Sequence, residues 1–163
     1  MLIILNNLRF WGWLIVACTT LATAPAAAQL VAADNLAATA AEARARRVPV
    51  VIAFMQQSCP YCAVARRDYL TALQNDPRWK NRVLIREIET DRSIALRDFS
   101  GAMTTHRDFA RAHEVRSVPT LIAFDADGQR VSPPIIGLLA DDFYWLYIEQ
   151  AVEAGLVRMR RAR

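Results

Sequence analysis

Residues that favour irregular or repetitive structure are scarce: five Gly and seven Pro among 163 exclude collagen-like and low-complexity readings. There is no internal repeat. Charge of one sign is also scarce once its position is considered. The chain carries 20 basic and 16 acidic side chains, a formal net of +4. Arg9 lies in a leader-like segment, and Arg158, Arg160, Arg161 and Arg163 lie at the far end, so residues 29–157 hold 15 basic against 16 acidic groups. A nearly neutral body lacks the footprint of a nucleic-acid binder. Only two histidines, His106 and His113, are present, and neither adjoins a second cysteine pair, so the four-ligand set of structural zinc is missing and no metal site is expected. What the chain does have is 54% hydrophobic and 22% charged residues, the balance of a globular domain.

Arg9 precedes a largely apolar run from Phe10 to Ala22, short for a bilayer-spanning helix of about 20 residues. Thr23-Ala24-Pro25-Ala26-Ala27-Ala28 follows with small residues in an A-x-A pattern. Residues 1–28 therefore read as a secretory signal peptide cleaved before Gln29. Ile15-Val16-Ala17-Cys18 also resembles a bacterial lipoprotein box, which would leave a lipid anchor on Cys18; an uncleaved anchor is a third reading. On each of them the body is exported, and a periplasmic location is expected. The domain is then 29–157, followed by a disordered basic tail at 158–163.

With Cys18 removed, two cysteines remain, in Cys59-Pro60-Tyr61-Cys62. A bridge across so small a loop constrains little of the unfolded chain, so the pair points to chemistry more than to stapling. The surrounding pattern supports this. An Ala-rich helix is expected from an N-cap at Asp34 to about Arg46, ended by Pro49. Val50 to Met55 reads as a buried strand. Pro60 suits the first turn of a helix, which continues to about Leu73 and breaks at Asn75-Asp76-Pro77. Val83 to Glu89 is a second strand. Residues 91–104 read as a loop with a helical turn near 94–97, and Thr105 to Asp108 as a capping box opening a helix to His113. A third strand, Thr120 to Phe124, a turn at Asp125–Gly128, and a fourth strand, Val131 to Ile136, come next, with Pro133-Pro134 demanding an edge or bulge. The last helix starts near Asp141. Phe143, Leu146, Tyr147, Gln150, Ala151 and Ala154 form its expected core face, and Gly155 its stop. Both histidines read as solvated helix residues. The expected fold is α/β: a mixed four-stranded sheet flanked by helices, with an extra N-terminal helix.

A cysteine at a helix N-terminus meets unpaired N–H groups and a partial positive charge, which favour its thiolate. Free Cys has a pKa near 8.5, and such a setting can lower it by several units. Cys59 at the helix mouth can attack a substrate disulfide, and Cys62, one turn in, can then resolve the mixed disulfide.

Three landmarks resemble the thioredoxin superfamily: Val51-Ile52-Ala53-Phe54 leading into Cys59-Pro60-Tyr61-Cys62, then Arg116-Ser117-Val118-Pro119-Thr120-Leu121, then Asp127-Gly128 with Gly137 and the final helix. The resemblance spans about residues 48–155. It implies a thioredoxin fold, a cis bond before Pro119 beside the cysteines, and a thiol–disulfide oxidoreductase with Cys59 and Cys62 as catalytic residues. Pro60, Tyr61, Val118 and Pro119 are the expected substrate-binding residues, Val118 through its backbone; Tyr61 reads equally as a plain exposed aromatic. No dissociable cofactor is implied, because the Cys59–Cys62 pair carries two electrons. Expected partners are protein disulfides or thiols and a membrane-borne electron donor, with no nucleic acid, the protein acting as a monomer. The added N-terminal helix, the 91–115 connection and the export signal look like a periplasmic branch, some of whose members accompany sulfur-oxidation systems. The alternatives are a copper-delivery protein or a non-catalytic peptide binder on the same fold.

The sequence departs from the family in three places. Ser58 stands where common thioredoxins have Trp, Pro60-Tyr61 where they have Gly-Pro, and Ala53 where they have a buried acid; Glu87 is a candidate substitute carboxylate. The connection at 91–115 is too short for the helical insertion of dedicated oxidants. A reductase or isomerase with a potential around −200 mV is expected, between thioredoxin's roughly −270 mV and the strong oxidants' roughly −120 mV.

Overall fold

The computed structural model describes residues 29–161. The expected signal peptide, Cys18 and Arg163 lie outside the described residues. Helix α1 (Leu36–Arg46) is followed by β1 (Val50–Met55). A helical stretch then runs through α2 (Pro60–Val64), a π-helical turn (Ala65–Leu70) and α3 (Thr71–Asn75). Next come β2 (Leu84–Glu89), β3 (Ala95–Arg97), β4 (Met103–Thr105), α4 (His106–Ala112), β5 (Thr120–Phe124), β6 (Ile135–Ile136) and α5 (Asp141–Arg161).

All six residues of β1 are buried, which is why this strand reads as a continuous apolar run rather than an alternating one. It occupies the interior of the main sheet, whose order is β2-β1-β5-β6. β2 pairs with it in parallel, β5 antiparallel, and β6 antiparallel to β5. Strand alternation gives the two faces different covers. Val50, Ile52 and Phe54 share a face with Arg86 and Phe124 through the registers Ile52↔Arg86 and Val50↔Phe124. Helices α1 and α4 cover that face: Arg86 Nε donates to Thr39 Oγ1 at 3.2 Å, and Phe109 stacks on Phe54 with ring centroids 6.2 Å apart. Val51, Ala53 and Met55 face the α2–α3 stretch and α5, which meet where Tyr69 packs edge-on to Tyr144 at 4.8 Å.

Several local expectations need correction. The N-cap of α1 is Asn35, whose side chain accepts from the Ala38 N–H at 2.9 Å, and not Asp34. The helix ends before Pro49, at Arg47 in the left-handed conformation, with the Val48 N–H reaching back to the Ala43 carbonyl. Residues 91–104 hold no helical turn; β3 and β4 form an antiparallel hairpin there. The fourth strand shrinks to Ile135–Ile136 at the sheet edge, because Pro133 and Pro134 lack the N–H groups a longer ladder requires.

The largest difference is in α5. Phe143, Leu146 and Tyr147, the expected core face, are exposed, whereas Tyr144, Ile148, Val152, Leu156 and Met159 are buried. Both sets satisfy helical spacing, and periodicity alone does not choose between stripes offset by one residue. Gly155 does not stop the helix, which continues to Arg161. The tail is correspondingly not loose at Arg158, whose Nε donates to the buried Asp125 carboxylate at 3.2 Å. Asp125 also accepts from the Asp127 and Gln129 N–H groups, 2.9 Å each, closing the β5–β6 turn.

Gly155 is required by close approach: a Cβ there would sit 2.4 Å from Pro49 Cβ and 2.7 Å from its Cγ. In an open helix Gly→Ala gains about 1 kcal/mol. Here the rigid proline ring leaves no room, and overpacking costs about 1–3 kcal/mol. Gly155→Ala is therefore expected to lower the urea midpoint, with an unchanged slope; a rise would mean that α5 and Pro49 are farther apart than described.

Candidate active site

The site is built at the junction of β1 and α2. The chain leaves β1 at Met55, turns through Gln56–Ser58, and enters α2 with Cys59 as the N-cap and Pro60 in the first turn. Pro60 fits because its absent N–H would have no partner in that turn. The Cys59 sulfur accepts from the Cys62 backbone N–H at 3.1 Å, as a serine or asparagine side chain does at an ordinary N-cap. A sulfur in this place takes up one of the helix's otherwise unpaired donors.

The two cysteines, both free thiols, differ in access. Cys59 is half-buried and Cys62 fully buried. The Cys62 thiol is pushed up to about 12, first by burial, then by the Cys59 sulfur beside it; the Gln56 backbone hydrogen bond and the Arg66 guanidinium act in the opposite direction. Pro60 and Tyr61 are exposed, Tyr61 at 65%.

The Val118–Pro119 peptide bond is cis, as the resemblance implied. The Cys59 sulfur faces the Val118 carbonyl at 4.0 Å. Pro119 is buried and its carbonyl is taken by the Gly137 N–H at 2.8 Å, so the α4–β5 loop is tied to the sheet edge. Val118, by contrast, is half-buried, and among the described residues neither its N–H nor its carbonyl makes a backbone hydrogen bond. The structure thus brings Cys59, Cys62, Val118 and Pro119 together, with Pro60 and Tyr61 on the outer rim.

Glu87 lies beside Ala53 in the β1–β2 register, on the face under the active-site helices. Its carboxylate is held by Arg66, with Nε at 3.1 Å and Nη2 at 2.5 Å. Glu87, the candidate substitute carboxylate, thus reaches the Cys62 region through Arg66, whose charge is the smallest of the influences on that thiol and favours its thiolate. Arg66, one turn after Cys62, was missed from the sequence. The available signal was a cation at i+4 from a cysteine together with a carboxylate within a partly apolar strand. Gln57, Arg66, Glu87, Glu89 and His106 line a cleft of about 300 Å3 beneath the helix. The Tyr144 hydroxyl, also buried, has no hydrogen-bond partner among the described residues.

Neither histidine is solvated. His106 is buried; its Nδ1 accepts from the Glu89 N–H at 3.0 Å and its Nε2–H donates to the Ala33 carbonyl at 2.7 Å. It thereby ties α4 to the N-terminal arm, which also pairs with Glu87 through Ala33 N–H and Val31 carbonyl. His113 is half-buried between Phe109 and Phe124, and burial followed by the Arg130 charge lowers its pKa. Among the described residues no three His, Cys, Asp or Glu side chains converge as a metal site, and no helix is long and apolar enough to cross a membrane.

A thioredoxin-like domain family matches residues 36–151, and the chain belongs to that family, within the thioredoxin superfamily. Its fold is similar to solved thioredoxins of low identity. Mitochondrial thioredoxin 3 from Saccharomyces cerevisiae in its oxidised form is 20% identical, with a TM-score of 0.50 over 76% of this chain and 93% of that one. Thioredoxin O2 from Arabidopsis thaliana is 18% identical, with a TM-score of 0.51 over 76% and 93%. A thioredoxin variant from Halobacterium salinarum NRC-1 is 18% identical, with a TM-score of 0.52 over 79% and 96%. No curated protein matches the chain.

The contrast between the sulfurs is testable. In reduced, folded protein, alkylating reagents should modify Cys59 and spare Cys62 at neutral pH. Cys62 starts from an ordinary value near 9.0 and is held protonated in the fold to about 12. The folded state therefore keeps a proton that the unfolded chain loses, so stability present below about pH 9 declines as pH rises toward 12. The alkaline decline should be smaller in Cys62→Ala than in the parent chain, as read by denaturant unfolding at a series of pH values. Equal declines would show that burial does not govern this thiol.

Proposed function

We propose that the protein is a thiol–disulfide oxidoreductase that donates electrons to disulfides of partner proteins, with Cys59 as nucleophile and Cys62 as resolving thiol. The observation carrying this reading is the Cys62 N–H to Cys59 sulfur hydrogen bond, 3.1 Å, at the mouth of α2. It places an oriented donor on the half-exposed sulfur while the second sulfur waits one turn deeper.

The steps follow from the geometry. A partner segment aligns in extended form along Val118, whose N–H has no partner among the described residues and whose carbonyl, held by the Cys59 thiol at 4.0 Å, is released when that thiol ionises; the two can then pair with the segment as an added strand. The Cys59 thiolate attacks one sulfur of the partner disulfide; the Cys59–partner S–S bond forms, the partner's own S–S bond breaks, and one partner thiolate leaves. Forming the mixed disulfide removes the negative charge of Cys59, one of the influences that held Cys62 protonated. Cys62 then gives its proton to water or to the partner thiolate already released, a loss favoured by the Arg66 charge, and attacks the Cys59 sulfur, so that the Cys59–Cys62 bond forms and the Cys59–partner bond breaks. The second partner thiolate leaves, and the Cys59–Cys62 disulfide remains. Two electrons pass to the partner, so turnover needs a dithiol reductant to restore the pair. No dissociable cofactor enters.

The cellular setting belongs to the same proposal. The signal-like residues 1–28 support export of the domain into a periplasm, with a lipid anchor on Cys18 as the variant reading, and an oxidising compartment calls for a membrane-borne donor of electrons. Kinship with the periplasmic, sulfur-oxidation-associated branch rests on the same segment and the added α1.

Cys59→Ser should abolish reduction of a model protein disulfide. Cys62→Ser should still attack but fail to resolve, so that partner-linked mixed disulfides accumulate on non-reducing gels. Mixed disulfides on Cys62 in Cys59→Ser would reverse the roles. Absence of turnover by the parent chain, with dithiol supplied, would leave only a binding function.

A further inference from the structure

The groove that begins at Val118 has a charge that the chemistry of two thiols does not require. About 420 Å3 in volume, it runs between α4, the α4–β5 loop and the ends of β1 and β2. Its charged side chains are Arg107, Arg111, Arg116 and a single anion, Glu114. The rest of the body does not carry this excess, since residues 29–157 hold 15 basic against 16 acidic groups. The cations are therefore concentrated beside the sulfur site rather than spread over the surface.

Two details separate this groove from an ordinary solvated face. Arg107 and Arg111 stand at i,i+4 on α4, a spacing at which like charges repel and helix formation suffers. Arg107 donates to the Asp91 backbone carbonyl, and Arg111 meets Asp108 at 3.2 Å with both side chains more than half exposed. That exposed pair is weak and easily exchanged for another carboxylate. Arg116, two residues before Val118, makes no hydrogen bond or ion pair among the described residues. Next to it, Val118 has an N–H without a partner among the described residues, and its carbonyl accepts only from the Cys59 thiol at 4.0 Å.

We propose that this groove selects partner proteins whose reactive disulfide lies in an extended segment carrying acidic side chains, with Arg111 and Arg116 pairing with its carboxylates. The inference rests on the thiol–disulfide reading above and specifies the substrate class of that same site. An extended polypeptide is the occupant because the groove starts at a backbone N–H with no partner among the described residues and a carbonyl that only the Cys59 thiol holds, groups that recognise another backbone. The acidic character follows from the three guanidinium groups against one carboxylate. Each exposed pair contributes a small attraction, so preference comes from two acting together, and salt should erase it.

The test uses the full chain and three peptide disulfides that differ only in flanking residues: two Glu, two Gln or two Lys. Reduction rates with dithiol regeneration are measured at low and high salt. Binding of serine versions of the same peptides, which cannot react, is measured alongside. The acidic peptide is expected to react and bind roughly fivefold better than the Gln peptide at low salt, the product of two exposed pairs, with the advantage lost at high salt. The Arg111→Glu/Arg116→Glu double variant should reverse the order, favouring the Lys peptide, with its fold checked by thermal unfolding. The comparison is internal to each variant, so a general loss of rate does not obscure it. Equal binding and rates for the three peptides, or an acidic preference that survives the double variant, would overturn the proposal. Acidic selectivity in binding without reduction of any peptide would uphold the groove and refute the redox reading instead; reduction without selectivity would do the opposite.

Discussion

The hydrogen bond from the Cys62 N–H to the Cys59 sulfur depends on where helix α2 begins, and that is set by a strand with no exposed residue. β1 is buried at every position and held on both sides by β2 and β5. Its end is therefore a fixed point, and the three residues Gln56–Ser58 deliver Cys59 to the N-cap with little freedom. The opposite wall has a similar anchor. Pro119 is tied through its carbonyl to Gly137, next to β6, while the Val118 carbonyl meets only the Cys59 sulfur and its N–H has no partner among the described residues. One rigid sheet thus presents the Cys59 sulfur and the Val118 backbone of the loop before β5 side by side, which is the arrangement that reaction with an extended protein segment needs.

The same sheet divides the two thiols by dielectric environment. Cys59 is half-exposed, and Cys62 is buried on the side of the sheet where Ala53 itself offers no acid. The nearest carboxylate on that face, Glu87, is one strand away and occupied by Arg66. A guanidinium close to a buried thiol favours its thiolate without accepting its proton, so the proton must leave by another route. Gln57, Arg66, Glu87 and His106 line a cleft on the Arg66 side of that thiol. This arrangement differs from one in which a carboxylate takes the proton itself.

The elements that position the site were legible because their signals were local and mutually consistent. A short apolar run before a Cys-Pro pair, and Val118-Pro119 before a β-branched strand, each leave few options. The readings that failed involved choices made by packing across the fold. In α5 two stripes offset by one residue were both apolar, and contact with Tyr69 and the sheet selected Tyr144, Ile148 and Val152 over Phe143 and Tyr147. Gly155 looked like a helix stop because the neighbour that demands a glycine, Pro49, lies more than a hundred residues earlier. His106 looked like a surface residue, and Arg66 went unnoticed, because their partners, Ala33, Glu89 and Glu87, are remote in sequence. The Arg107–Arg111–Arg116 groove was hidden by a net charge near zero, since composition averages over faces that the fold separates.

The central claim is that Cys59 and Cys62 form one reversible two-electron couple, and equilibration of the protein against glutathione redox buffers tests it most directly. The account predicts a single transition, two electrons per chain, between dithiol and an intramolecular Cys59–Cys62 disulfide, with a midpoint around −200 mV. A pair that remains dithiol or disulfide across the whole range of buffers would contradict it, as would oxidation that yields only glutathione adducts on Cys59.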